Sequence, residues 1–295
     1  MAIVHTLQCV ALCMTVVSGL QKEPRVIGGK VVSHGDFPYV VLVQRTDYKC
    51  TGTLVTSEWV LTAGHCTELN GPELYWVTAG IVYVFESGNY RQERNARLVV
   101  RHPKYSHTYR EDGQDVVFYD IAIIKVVYPF VLNKYVNSVA LSTEQAPYWG
   151  DPCVGVGFGL TSVSNDILQL LKPPATSDSR AMQKAGAALH KLTFSVAPIP
   201  CKQFGDSRWQ EAYQLCTMGG EVNQTHLYLG DSGGPLICRG LPVGIFSILE
   251  GKWFNGKVFI VHVHTSLFEF ILWLKGYIPE IKFQRDYWPW ISFDN

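Results

Sequence analysis

The chain carries no net charge: 25 Lys and Arg residues balance 25 Asp and Glu residues over 295 positions. A nucleic acid or an anionic membrane surface would call for a basic surplus, so neither is indicated as a partner. No apolar run is long enough to cross a bilayer. The most apolar stretch, Ala2–Val17, falls short of a span. Helical periodicity is scarce too. The first sustained 3.6-residue pattern is Leu267–Leu274, close to the C-terminal end. Internal repeats are absent, and no second segment carries chemistry of its own.

What is present reads as a secreted all-β protein. Residues 1–19 look like a signal peptide, with Val17-Ser18-Gly19 offering small or modest residues at the cleavage position, although no Lys or Arg precedes the apolar part. A buried core helix is the competing reading. Aromatics make up 13% of the chain and Gly is abundant, which suits short strands joined by tight turns. Tyr39–Val43, Trp59–Leu61, Ile121–Val127 and Val243–Phe246 are apolar runs of strand length separated by turn residues. Eight cysteines are present, of which Cys9 and Cys13 fall inside the leader. The remaining six, Cys50, Cys66, Cys153, Cys201, Cys216 and Cys238, point to disulfides and allow 15 pairings by arithmetic alone.

Three motifs carry the chemistry. Gly230-Asp231-Ser232-Gly233-Gly234-Pro235 sets one serine among small residues, so the backbone turns tightly and its N–H groups can face a substrate. Upstream, Thr62-Ala63-Gly64-His65-Cys66 supplies a histidine and Tyr119-Asp120-Ile121-Ala122 an aspartate followed by apolar residues. A histidine beside a cysteine is usually structural, and an aspartate before a strand is often a turn. Taken together, in the order His, Asp, Ser, they form the set that nucleophilic acyl transfer needs. A serine hydroxyl holds its proton tightly. A neutral imidazole can take that proton, and a carboxylate can fix the imidazole's tautomer.

From Val26 to Leu274 the chain resembles the chymotrypsin/trypsin family of serine endopeptidases. The resemblance implies two packed six-stranded antiparallel barrels with a C-terminal helix, His65 and Asp120 in the first barrel, Ser232 in the second, and the active site between them. It implies His65, Asp120 and Ser232 as the triad, Gly230 and Ser232 N–H groups as the oxyanion hole, and Ser247 as support for Asp120. It selects the pairings Cys50–Cys66, Cys153–Cys238 and Cys201–Cys216. It also implies a zymogen: residues 20–25 form an activation peptide, cleavage after Arg25 frees the Val26 amine, and that amine pairs with Asp231. The protease domain then covers 26–275, and 276–295 is an extension rich in aromatics, expected to pack back on the body. Residues 161–187 read as an enlarged surface loop.

The resemblance weakens at the specificity pocket. The place of the family's pocket aspartate, six before the serine, holds His226, and Thr225–Leu229 contains no carboxylate. Tyr228 stands where a bridged cysteine is usual. Ile248-Leu249 replaces Trp-Gly, and His262 takes the place of another pocket glycine. Two smaller departures are Gly64 for a commoner alanine and Thr51 for a glycine, the latter expected to crowd the leaving-group side. His262 and His264 share a strand face, but no third ligand accompanies them, so no metal is expected. The Gly80–Glu93 segment lacks the acidic pair that binds calcium in some members, with Ile81 in the first such place. Asn223-Gln224-Thr225 is a glycosylation sequon. With these departures, the resemblance implies a secreted serine endopeptidase of non-tryptic, narrow specificity. It needs no cofactor. Its partners are a protein or peptide substrate, a trypsin-like activator and protein inhibitors. The competing reading is a protease-fold binding or decoy protein with an occluded cleft.

Overall fold

The computed structural model describes residues 29–109, 115–145, 152–159, 188–194, 198–204, 213–221, 226–254 and 257–285. The signal, Arg25, Val26, the 161–187 loop, Asn223 and the aromatic residues beyond 285 lie outside them.

Eighteen strands are described: β1 (Lys30–Val31), β2 (Val40–Gln44), β3 (Lys49–Leu54), β4 (Trp59–Thr62), β5 (Trp76–Ala79), β6 (Gln92–Arg101), β7 (Ser106–Tyr109), β8 (Asp115–Phe118), β9 (Ala122–Val126), β10 (Leu141–Ser142), β11 (Cys153–Gly157), β12 (His190–Phe194), β13 (Ile199–Pro200), β14 (Gln214–Glu221), β15 (Pro235–Cys238), β16 (Leu241–Phe254), β17 (Lys257–Ser266) and β18 (Phe283–Gln284). The single described α-helix, α1, runs Ile271–Tyr277. The first half closes into an antiparallel barrel in the order β2-β3-β4-β9-β6-β5. The second half is an eight-stranded sheet, β1-β12-β11-β15-β16-β17-β14-β13, in which β1 and β13 are two-residue edge strands flanking six longer ones. The all-β architecture with a terminal helix is the expected one. The second half differs in detail, because its six main strands take on a short partner at either edge.

The barrel strands are apolar on both faces, and their alternation explains why. Val41 and Val43 of β2, Val60 of β4, and Ile124 and Val126 of β9 fill the barrel interior with Leu54, Val77 and Ala79. Their neighbours point outward. Val40 and Leu42 face Val156, Phe158 and Ile237 of the second half. Trp59, Leu61, Ile121 and Ile123 face Leu267, Phe270, Leu274, Ile278 and Ile281 around α1. One barrel face therefore packs on itself and the other seats the rest of the molecule. The second half encloses its own core of Leu192, Phe194, Leu215, Leu236, Val243 and Phe246.

The chain beyond α1 returns to the body. Ile278 and Ile281 are buried, and β18 adds to β10 in parallel, with Leu141 N–H donating to Lys282 O at 3.0 Å and Thr143 N–H to Gln284 O at 3.1 Å. Disulfides join Cys50 to Cys66, Cys153 to Cys238 and Cys201 to Cys216, with Cα separations of 6.1, 4.4 and 4.9 Å.

Leu274 is fully buried while Leu272, on the same helix, is 84% exposed. Leu274→Ala is expected to cost about 2–5 kcal/mol of unfolding free energy, and Leu272→Ala under about 0.5 kcal/mol. Urea denaturation of both variants measures the difference; equal losses would show that α1 is not seated on the barrel.

Candidate active site

His65 opens a short 3-10 turn, His65–Thr67, directly after β4. Gly64 before it has no room for a side chain: a Cβ there would lie 2.6 Å from the Tyr105 ring and 3.1 Å from Asp120 Oδ1. The aromatic ring thus explains the glycine found where alanine is commoner. Asp120 is buried two residues before β9 and receives His65 twice. The His65 N–H donates to Oδ1 at 2.8 Å and Nδ1–H to Oδ2 at 2.8 Å. Ser247 Oγ–H of β16 donates to Oδ2 at 2.5 Å, and Thr265 Oγ1–H of β17 donates to the Asp120 carbonyl at 3.0 Å. Burial alone would push the Asp120 carboxyl up. The His65 charge and the hydrogen bonds from His65 and Ser247 outweigh it and hold the group below its ordinary range. Burial likewise pulls His65 down, but Asp120 overrides it and leaves the imidazole raised.

Tyr119 is held in the left-handed region at φ 50°, unusual for a residue with a Cβ. Its ring stacks on His102 at 5.0 Å and packs against Tyr213 at 4.6 Å, and its N–H donates to the Tyr213 hydroxyl at 3.3 Å. Nothing in the sequence announces this conformation, although the aromatic density near Tyr213 and Phe270 is its only trace.

Ser232 sits in a turn pressed against the first barrel. Thr51 N–H donates to Ser232 O at 2.8 Å. Gly233 has φ +81°, and a Cβ on it would fall 2.1 Å from Thr62 Oγ1 and 2.3 Å from Thr51 O, so only glycine fits after the serine. Gly230 has φ +97°, as the third position of a type II turn closed by Asp231 N–H to Tyr228 O at 2.9 Å. Asp231 is fully buried. Its Oδ2 accepts Tyr228 N–H and its Oδ1 accepts Gly159 N–H, both at 2.8 Å. Burial pushes its carboxyl up to about 7 against the pull of those two donors. The sequence places Thr51 as an obstacle on the leaving-group side. Instead its side chain is buried in the interface and bonded to Gly230 O and Phe158 N.

Three of the four pocket candidates, His226, Leu249 and His262, lie together, whereas Ile248 packs on the opposite face of its strand. β16 and β17 pair continuously from Ile248↔Val263 to Phe254↔Lys257, with Leu249 directly opposite His262. Leu249 packs on the core of the second half, and Ile248 packs on Val261, Val263 and the Cys201–Cys216 bridge. His226 and His262 are buried with ring centroids 5.9 Å apart. His262 Nε2 accepts Leu227 N–H at 3.1 Å, and His264 Nε2 pairs with Thr217 Oγ1 at 3.0 Å. Burial, then the neighbouring His264 and His226, keep His262 well below its ordinary value. Burial alone lowers His264 to about 3. The site of the family's charged pocket therefore holds two buried imidazoles, of which burial keeps His262 neutral, and a leucine.

Further side chains surround His65. Glu68 accepts the Tyr105 hydroxyl at 2.5 Å and His107 Nδ1–H at 2.9 Å. The Tyr48 hydroxyl lies against Ser232; burial pushes it up to about 12, opposed by the Ser232 side chain. Cys50, His65 and Cys66 bring three donor atoms together, but both sulfurs are committed to the disulfide.

A closed six-stranded barrel and a second β half, with a bonded His–Asp pair and a Gly-flanked serine turn both at the join between them, define a two-lobed β fold. Residues 26–273 match the family model described as Trypsin, and the chain belongs to the trypsin family of serine proteases. It is 27% identical over 265 residues to serine protease 1 of Canis lupus familiaris, covering 88% of this chain and 93% of that one. It is 28% identical over 261 residues to trypsin V-A of Rattus norvegicus (88% and 91%), and 26% over 264 residues to kallikrein 1-related peptidase b5 of Mus musculus (88% and 91%).

The buried histidines predict acid sensitivity. Burial keeps His262 and His264 neutral in the folded chain, whereas in the unfolded chain each takes a proton as pH falls through about 6.5. Stability is therefore lost below that pH, by about 2 kcal/mol per histidine at pH 5. His264→Phe is expected to show a smaller loss between pH 7 and pH 5 than the parent in urea denaturation. Parallel pH profiles would contradict the assignment.

Proposed function

We propose that the protein is a secreted serine endopeptidase made as a zymogen and cut after Arg25. The observation that carries this reading is the doubly bonded His65–Asp120 pair beside the Ser232 turn. Ser232 Oγ attacks the scissile carbonyl and His65 Nε2 takes its proton. Asp120 keeps the Nδ1 proton in place and steadies the imidazolium. The Gly230 and Ser232 N–H groups receive the oxyanion. His65 then passes the proton to the leaving amine, and water repeats the cycle to release the acid. All bond-making is supplied by side chains and backbone, so no cofactor takes part.

The pocket supports a substrate with a small residue at the cleavage position. A Lys or Arg side chain would meet Leu249, His226 and His262, with no carboxylate to pair with. Glu250, the nearest acid in sequence, is buried and faces Lys252 at 3.9 Å. Protein inhibitors would enter the same cleft. A glycan at Asn223 would stand beside it.

Activation follows from Asp231. A buried carboxyl pushed up to about 7 is a site waiting for a cation, and the Val26 amine freed by the cut supplies one. Pairing with that amine offsets the cost of ionising Asp231, and the Gly230 turn is fixed for catalysis.

The cut protein should be labelled by a fluorophosphonate, and Ser232→Ala should abolish both labelling and peptide turnover. Turnover should fall as acid protonates His65, at a pH above the ordinary imidazole value of about 6.5 because Asp120 raises the group. On a mixed peptide library the cuts should follow small residues, and Arg and Lys reporters should be poor. Labelling without any turnover would favour the decoy reading.

The activation step has its own check. Arg25→Gln should give a secreted precursor that the activator leaves intact and that turns over peptide at least about 10²-fold more slowly, the scale of one lost oxyanion donor. An uncut precursor as active as the processed form overturns the mechanism.

A further inference from the structure

Thr51 joins the two halves through its N–H and its hydroxyl. It lies on β3, directly after Cys50, and is fully buried. Its N–H donates to Ser232 O at 2.8 Å. Its carbonyl accepts Thr62 Oγ1–H at 2.8 Å. Its hydroxyl oxygen accepts Phe158 N–H at 3.0 Å and donates its proton to Gly230 O at 2.8 Å. Because Phe158 can only donate, the hydroxyl proton has one direction left, toward Gly230. The side chain thus ties β3 of the barrel to the end of β11 and to the turn before Ser232.

We propose that Thr51 is a positioning residue for the oxyanion site, acting through the Gly230 carbonyl. The proposal rests on the reading of Ser232 as nucleophile and of the Gly230 N–H as an oxyanion donor. Gly230 is the most deformable residue of that site: a glycine at φ +97° can change conformation at little steric cost. Two hydrogen bonds restrict it. The turn bond from Asp231 N–H to Tyr228 O closes the loop around it, and the Thr51 hydroxyl fixes the peptide on its C-terminal side. With that peptide anchored, the Gly230 N–H keeps the direction set by the turn. A glycine at position 51 would have no hydroxyl with which to do this. Asp231 holds the same turn from the other side, through Tyr228 and Gly159, so the donor is fixed from both halves of the molecule.

The test uses the full chain after cleavage at Arg25. Parent, Thr51→Ser, Thr51→Val and Ser232→Ala are compared for kcat and KM on one peptide, and for affinity toward the matching peptide aldehyde, whose adduct with the serine places a charged oxygen in the oxyanion site. Thr51→Ser keeps the hydroxyl and is expected to stay within about 3-fold of the parent. Thr51→Val should lose about 10–100-fold in kcat and a similar factor in aldehyde affinity, with KM within about 3-fold, because one oxyanion donor is misaimed rather than removed. A purely structural role would not separate aldehyde affinity from KM. If Thr51→Val does not fold, Thr51→Ala replaces it, and a loss in Thr51→Ser as large as in Thr51→Ala overturns the proposal. Thr51→Val with the parent's kcat and aldehyde affinity overturns it alone. A parent no more active than Ser232→Ala overturns the protease reading and the proposal together.

Discussion

A carboxylate with no access to water is the constraint around which the molecule is organised. An unpaired charge in that position is costly; the Asp120 carboxylate meets the cost with donors from His65 and Ser247, and a third donor holds the backbone of the residue. His65 comes from the end of the first barrel, Ser247 from β16, and Thr265 from β17 through the Asp120 carbonyl. The two halves must therefore dock before the carboxylate is satisfied. The same docking brings β3 onto the Ser232 turn. Stability and the geometry of the candidate site are consequences of one contact, which is why the residues around it are the least replaceable. Gly64, Gly230 and Gly233 each fill a space where a side chain would collide or strain the backbone.

The pocket is governed by a different balance. An open, charged pocket needs two strands held apart and a buried acid. Here β16 and β17 pair without a break from Ile248↔Val263 to Phe254↔Lys257, and the ladder satisfies backbone groups that a gap would leave to solvent. Leu249 and His262 face each other across it and fill the space with packed side chains. The side chains around His65, namely Tyr48, Tyr105, Glu68 and His107, stand outside that packed region.

Much of this was legible in the sequence. The fold class follows from short apolar runs with turns between them, and the His, Asp and Ser motifs are local signals that survive without any knowledge of packing. The departures at His226, Leu249 and His262 could also be read, since each is a change at a motif position. What stayed hidden depends on contacts between distant segments. Thr51 looks like an obstruction beside Cys50, because its two side-chain partners, Phe158 and Gly230, lie 107 and 179 positions away. Gly64 looks like a tolerated exchange until the Tyr105 ring is found above it. The positive φ of Tyr119 has no local signature, since the aromatic rings that hold it come from three other parts of the chain. The pairing of β18 with β10 was equally invisible, being two residues against two.

That last pairing bears on how the protein is made. The outer face of the first barrel, with Trp59, Leu61, Ile123 and Leu141, is covered by α1, Ile278, Ile281 and Phe283, all near the end of the chain. At a synthesis rate of about 5–20 residues per second, the nascent barrel waits roughly ten seconds or more for this cover. During that time it presents a sticky apolar face. A chain truncated before Leu267 would lack every one of these covering residues and leave that face permanently bare.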